Sequence, residues 1–211
     1  MKKIQAFLVA ICFILGLIAC SPSNSGSDGE TPKGNAGNSN IKPANDFEAF
    51  LVDNLFDVSA GDVEGAIDKM IDPSLGVYLV YKPGALPTVQ KHTSAADLKK
   101  TQAYLFESFV GVAAQPKKGE LPYFDCEAWD KEGCFYKEVT NSNLLQATMT
   151  QMSEMLDTAF PEAETKSAEK TDASVSRVMI LTDAQLELSF GQVNGAWKLL
   201  IINIADFDCG A

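Results

Sequence analysis

Apolar residues are distributed along this chain in three unlike ways. Ala6 to Ala19 is an almost unbroken apolar run behind Lys2 and Lys3. Ser21 to Pro43 reads SPSNSGSDGETPKGNAGNSNIKP and holds almost no apolar side chain, so it has too little surface to bury against the entropy of ordering. From residue 46 onward the pattern is periodic, and one folded domain is expected over 46–211. Phe47, Phe50, Leu51 and Leu55 fall on one helical face, with Asp46 as a cap. Val63, Ile67, Met70 and Ile71 form the stripe of a second short helix, which Asp72-Pro73 stops. Leu75 to Tyr81 (LGVYLVY) reads as a buried strand and Lys82-Pro83-Gly84 as the turn after it. A third helix is expected from Thr93 or Ser94 to about Val110. Ala113 to Pro122 reads as a loop, and Tyr123 to Val139 as extended arms with Gly133 at a turn. Leu145, Met149, Met152, Leu156 and Phe160 keep helical spacing, which predicts a helix over 143–158. The charged, apolar-poor stretch Pro161 to Asp172 reads as an exposed loop.

The last third of the chain alternates with period two. Val175 to Leu181 is one strand, and Gln185 to Gln192 places Leu186, Leu188 and Phe190 on one face. Asn194-Gly195 is the preferred two-residue hairpin turn. Ala196 to Ala205 returns, with Trp197, Leu199 and Ile201 opposite Lys198, Leu200 and Ile202. Both sides of that strand are apolar, so it is expected at the centre of the sheet and covered on both sides. Helices first and an antiparallel meander last indicate an α+β domain, with helices packed on one face of a curved antiparallel sheet.

The opening apolar block is too short to cross a bilayer and stay there, and its order (positive, apolar, small residue) is that of a secretory leader. Leu17-Ile18-Ala19-Cys20 resembles the lipobox of bacterial lipoproteins. The resemblance implies cleavage between Ala19 and Cys20 and a diacylglycerol on Cys20. The partner is then a membrane, reached through that lipid. Ser21 after Cys20 resembles outer-membrane rather than inner-membrane sorting signals, so the periplasmic face of the outer membrane is expected. On this reading residues 1–19 are the signal, 20–45 the lipidated cysteine and its tether, and 46–211 the domain. A flexible tether of this length holds the domain roughly 25 Å from the lipid.

The net charge of −11 becomes −13 when Lys2 and Lys3 leave with the leader. So acidic a body is not expected to bind nucleic acid, which is itself a polyanion. Cys12 leaves with the leader and Cys20 is taken by the lipid, so Cys126, Cys134 and Cys209 remain. In an oxidising compartment, one disulfide and one thiol are expected. A Cys126–Cys134 bond would close a small loop around Trp129 and Gly133. A Cys126–Cys209 bond ties down the C-terminus, and its longer loop gives the larger entropic gain, so it is preferred. No metal is expected, because the three cysteines and His92 match no zinc spacing. The acids Asp125, Glu127, Asp130 and Glu132 lack the spacing of a calcium loop and read as a solvated turn.

No Ser–His–Asp set, phosphate loop, dinucleotide fingerprint or HExxH motif is present. His92 reads as a solvent-facing residue just ahead of a helix. Met149 and Met152 share the core stripe. Tyr78, Tyr81, His92 and Trp197 are the candidate pocket residues. The tail LELSFGQVNGAWKLLIINIADFDCGA, after helices and a strand, resembles the cone-like nuclear transport factor 2-like (cystatin-like, SnoaL-like) fold. Together with the lipobox, IDPSLGVYLVYKPGALPT, LPYFDCEAWDKEGCF and DFDCG are similar to a group of bacterial lipoproteins. The resemblance implies a concave apolar pocket but no single activity, since cone-fold members include isomerases, dehydratases and non-enzymatic binding modules. Catalytic members commonly use an Asp–His pair, and no Asp here can be matched to His92 residue by residue. The expectation is a lipid-anchored envelope module, without cofactor, that binds a small molecule or an envelope protein. The alternative is an isomerase-, dehydratase- or hydrolase-like enzyme using the cone pocket. His92 or Asp97 pointing into an open pocket would favour the enzyme.

Overall fold

The computed structural model describes residues 42–207 apart from 57 and 113. Ala19, Cys20, nearly all of the tether and Cys209 lie outside the described residues. Six helices are present among the described residues: α1 (Asp46–Asn54), α2 (Val63–Met70), α3 (Ala95–Thr101), α4 (Leu105–Ser108), α5 (Leu144–Leu156) and α6 (Glu162–Ser174). The strands are β1 (Val77–Tyr81), β2 (Thr88–His92), β3 (Pro116–Lys118), β4 (Cys134–Glu138), β5 (Arg177–Leu181), β6 (Leu186–Val193) and β7 (Ala196–Asn203), and a 3-10 turn follows at Ala205–Phe207. They form one seven-stranded sheet in the order β2-β1-β7-β6-β5-β4-β3. β4 to β7 are antiparallel in sequence order, while β1 joins β7 and β3 joins β4 in parallel. The class is α+β, as expected, and the sheet is mixed rather than purely antiparallel.

Helices cover both faces of the sheet, which corrects the expected one-face packing. α1 to α4 supply Leu51, Ile67, Leu98 and Leu105 to one core with Val77, Leu79, Leu188, Phe190 and Leu199 of the strands. α5 and α6 supply Leu145, Met149 and Ala168 to a second core with Tyr78, Val80, Leu200 and Ile201. The reason lies in β1, which is apolar throughout, and in the run Leu199 to Ile202 of β7: a strand apolar on both sides needs cover on both sides. β7 does lie inside the sheet, between β1 and β6. Its alternation is broken, however. Ser189 pairs with Ile201 while Phe190 pairs with Leu199, so Leu200 is the extra residue of a β-bulge. Ile202, not Ile201, therefore shares the first core with Leu199, and strict alternation misplaces both isoleucines.

Local chemistry explains most of the elements. Asn45 rather than Asp46 caps α1: its side chain accepts from the Glu48 N–H at 2.9 Å, and Glu48 Oε2 accepts from the Ala44 N–H at 2.7 Å. Ser94 caps α3 by accepting from the Asp97 N–H at 3.1 Å. The expected helix from 94 to 110 is split into α3 and α4. Gln102 falls where the stripe from Ala95 and Leu98 calls for an apolar residue, and the chain leaves helical geometry there. The Asn194-Gly195 turn forms with φ of 53° and 81°, the left-handed pair this hairpin requires.

The stretch expected to be an exposed loop is the thirteen-residue helix α6. Its sequence EAETKSAEKTDAS is rich in helix formers, so propensity marked it where hydrophobic periodicity did not. It docks through few contacts. Asp172 is fully buried and accepts from the Leu145 and Gln146 N–H groups at 3.3 and 3.0 Å, so a carboxylate on α6 caps α5. A Cβ on Gly191 of β6 would meet the Ser174 carbonyl oxygen at 2.1 Å, so only glycine lets the end of α6 come this close to the sheet.

Candidate functional site

The four expected pocket residues do not converge. Tyr81 lies at the end of β1, in a cleft of about 450 Å3 with Gln102, Tyr104, Leu186 and Phe207. Trp197 lies at the start of β7. Because β1 and β7 run parallel, this is the other end of the sheet. There it borders a cleft of about 420 Å3 with Asp46 and Arg177. Its Nε1 donates to Asp46 Oδ2 at 3.2 Å, and the Arg177 guanidinium sits 5.4 Å from the ring centroid. Tyr78 lines a third cleft, and His92 lines none of these.

His92 is buried rather than solvent-facing. Its register partner Val77 faces the first core, and the ring follows it inward. Nδ1 lies 3.2 Å from Asp97 Oδ2, and Nε2 has no hydrogen-bond partner. Spacing alone offered a weak sign of this pair, since Asp97 opens the helix that His92 precedes. Neither residue lines the clefts described here, and the Asp97 side chain is about half exposed.

Another cleft, about 580 Å3, is bordered by Glu107, Val110, Gly111, Thr182 and Asp183. It shares Ala184 and Gln185 with the Tyr81 cleft, so the two flank one ridge, the β5–β6 turn. Gln185 holds a φ of 50° on that ridge, a backbone conformation that costs energy for a residue with a side chain. Tyr104 is half exposed at one side.

The Tyr78 cleft, about 480 Å3, lies between β1 and β2 on one side and α5 and α6 on the other. Val89, Met149, Phe160 and Ala163 make its apolar wall. At its polar end, Ser167 Oγ accepts from Tyr78 Oη at 2.8 Å and from Lys91 Nζ at 3.0 Å. Burial pushes the Tyr78 phenol up from its usual range, the Ser167 hydrogen bond opposes this, and Glu164 on the cleft wall pushes it further up. Nothing in the local pattern joined these residues, because Lys91 and Tyr78 lie 76 and 89 residues from Ser167.

The remaining buried polar groups are structural. Tyr136 Oη donates to Glu48 Oε1 at 2.8 Å and accepts from Asn45 Nδ2 at 2.9 Å, which fixes the start of α1 on β4. Cys134 is a free, buried thiol pushed up to about 12, by burial first and Glu48 second. Cys126 is disulfide-bonded, and a free Cys134 excludes the short-loop pairing. Cys209, the preferred partner, lies outside the described residues. Asp125 Oδ1 accepts from the Glu127 and Ala128 N–H groups at 3.0 and 2.8 Å, and Asp130 Oδ1 accepts from the Tyr123 N–H at 2.8 Å. These acids thus build their own loop. Among the described residues no group of three His, Cys, Asp or Glu is placed to hold a metal ion, and no helix is long and apolar enough to cross a membrane. No protein-family model, curated protein or solved structure matches the chain.

Proposed function

We propose that the chain is an envelope protein, anchored through lipid on Cys20, that works by binding a small molecule or a protein partner. The observation that carries this is where the chemistry sits. The chain has a single histidine, and its ring is buried beside a half-exposed Asp97 and lines none of the clefts described above, whereas the clefts at the β5–β6 turn open to solvent. Those clefts are bordered by aromatic rings, amides, Lys82, the acids Glu107 and Asp183, and the hydroxyls of Ser108 and Thr182, the latter hydrogen-bonded to the Gly133 backbone. Such a lining orients a ligand but does not pair a nucleophile with a base. A ridge held at positive φ fits a recognition loop, since strain of this kind collects at binding sites.

Kinship with the nuclear transport factor 2-like cone is the finer reading of the fold. The antiparallel run β4 to β7 and the leading helices support it. The parallel additions of β1 and β3 and the helices on the second face depart from it.

Two measurements test the proposal. Cys20→Ala should abolish labelling by radioactive palmitate, and persistent labelling refutes the anchor. Hydrogen exchange of the mature protein, with and without small molecules extracted from the envelope, should show protection at 102–111 and 181–186. Unchanged exchange in both segments refutes the binding cleft.

A further inference from the structure

We infer that the cleft between β1, β2, α5 and α6 is a second binding site, one that takes an aliphatic carboxylate. Its polar end is made of donors. Lys91 carries an ammonium, Tyr78 keeps its phenolic proton because burial opposes the phenolate, and Ser167 adds a hydroxyl. Both neighbours donate to Ser167 Oγ, so this oxygen is the one acceptor the three groups share. Among the described residues no carboxylate pairs with Lys91. Tyr78 spends its only proton on Ser167, which leaves the Ser167 hydroxyl proton and the remaining Lys91 N–H groups to donate, and these suit a ligand that brings its own acceptor oxygens.

The same geometry argues against a serine nucleophile. Activation of Ser167 would need a neighbour that takes its proton, and both neighbours donate instead. Ser167 also lies in mid-helix, where backbone N–H groups are committed to the helix and cannot hold an oxyanion.

The rest of the cleft suits a hydrocarbon. Val89, Met149, Phe160 and Ala163 form its wall. Met152 and Leu156 continue the Met149 face of α5 beyond the cleft, and Leu156 and the neighbouring Met155 are exposed. Methionine repacks readily around a flexible chain. The volume of about 480 Å3 falls in the ordinary small-ligand range. Among the described residues, Lys91 is the only cation in the lining and Glu164 the only carboxylate, so a head group seats on the Lys91 side, where one ammonium balances one negative charge.

The test is a titration of the mature lipidated protein, in phosphatidylcholine nanodiscs, with octanoate, read by 13C-methyl methionine spectra. Met149 and Met152 should shift saturably, while Met70 and Met179, which belong to the first core, should not. Lys91→Met should weaken octanoate binding about tenfold or more, the usual effect of losing a charged hydrogen bond. Ser167→Ala should weaken it less. Glu164→Gln should tighten it by up to about fivefold through loss of a nearby like charge. Acetate should bind at least about tenfold more weakly than octanoate, since it lacks the chain. The inference is overturned by an absence of saturable shift at Met149, by octanol binding as well as octanoate, by an unchanged affinity in Lys91→Met, or by acetate matching octanoate.

Discussion

The two faces of the sheet are built on different principles. Under α1 to α4 the centre is densely packed and aromatic, and its clefts lie at the edge by α4 and the β5–β6 turn. Phe47 lies 5.2, 5.3 and 4.8 Å from the rings of Tyr136, Phe190 and Trp197, and even the histidine is sealed in. Under α5 and α6 the cover is partial. α6 buries only Ala168, Thr171 and Asp172, α5 leaves its last turn exposed, and a cleft remains between helices and strands. The first face seals its centre and opens at its α4 edge, whereas the second leaves a cleft between its helices and the strands themselves. One strand can serve both because β7 is apolar on both sides and changes phase at Leu200.

The sharpest test of this contrast is Phe190→Ala. Phe190 is fully buried among aromatic rings, and its loss should cost about 3–5 kcal/mol in urea unfolding. Asp172→Ala comes next, at about 1–3 kcal/mol, because it orphans the Leu145 and Gln146 N–H groups. Hydrogen exchange should then rise in α5 and stay unchanged in β6. An equal cost for the two variants would make the second face as integral as the first.

Alkaline pH acts on the first face through Cys134. Its thiol is held at about 12 when folded and relaxes to about 8.5 when unfolded. The folded state therefore favours the protonated thiol. This contribution is whole below about pH 8.5 and is lost as pH climbs toward the folded value. Cys134→Ala should flatten the alkaline decline of the denaturation midpoint, and an unchanged slope would place the thiol in a wetter site. Leu156→Ser, on the exposed end of α5, should change stability by no more than about 0.5 kcal/mol. A larger loss would show that the end of α5 is packed after all.

Legibility followed the range of the signal. α1, α2, α5 and the β6–β7 hairpin were readable because helical spacing and Asn194-Gly195 act within a few residues. α6 was missed because its apolar content is low, although its helix propensity is high. β2 was missed because Thr88 to His92 is an edge strand with little alternation, and the inward turn of His92 followed from that strand's pairing.

By itself, the sequence determined the α+β class, the apolar double-sided β7 and the expectation of a leader ending at Ala19. Each of these is written in the order of neighbouring residues. Tertiary structure alone decided that β1 lies parallel to β7, that Leu200 bulges, that helices occupy both faces, and that Tyr78, Lys91 and Ser167 meet. These depend on pairing between segments far apart in the chain. Their register is selected by which arrangement buries both sides of the sheet, and no local period records that choice.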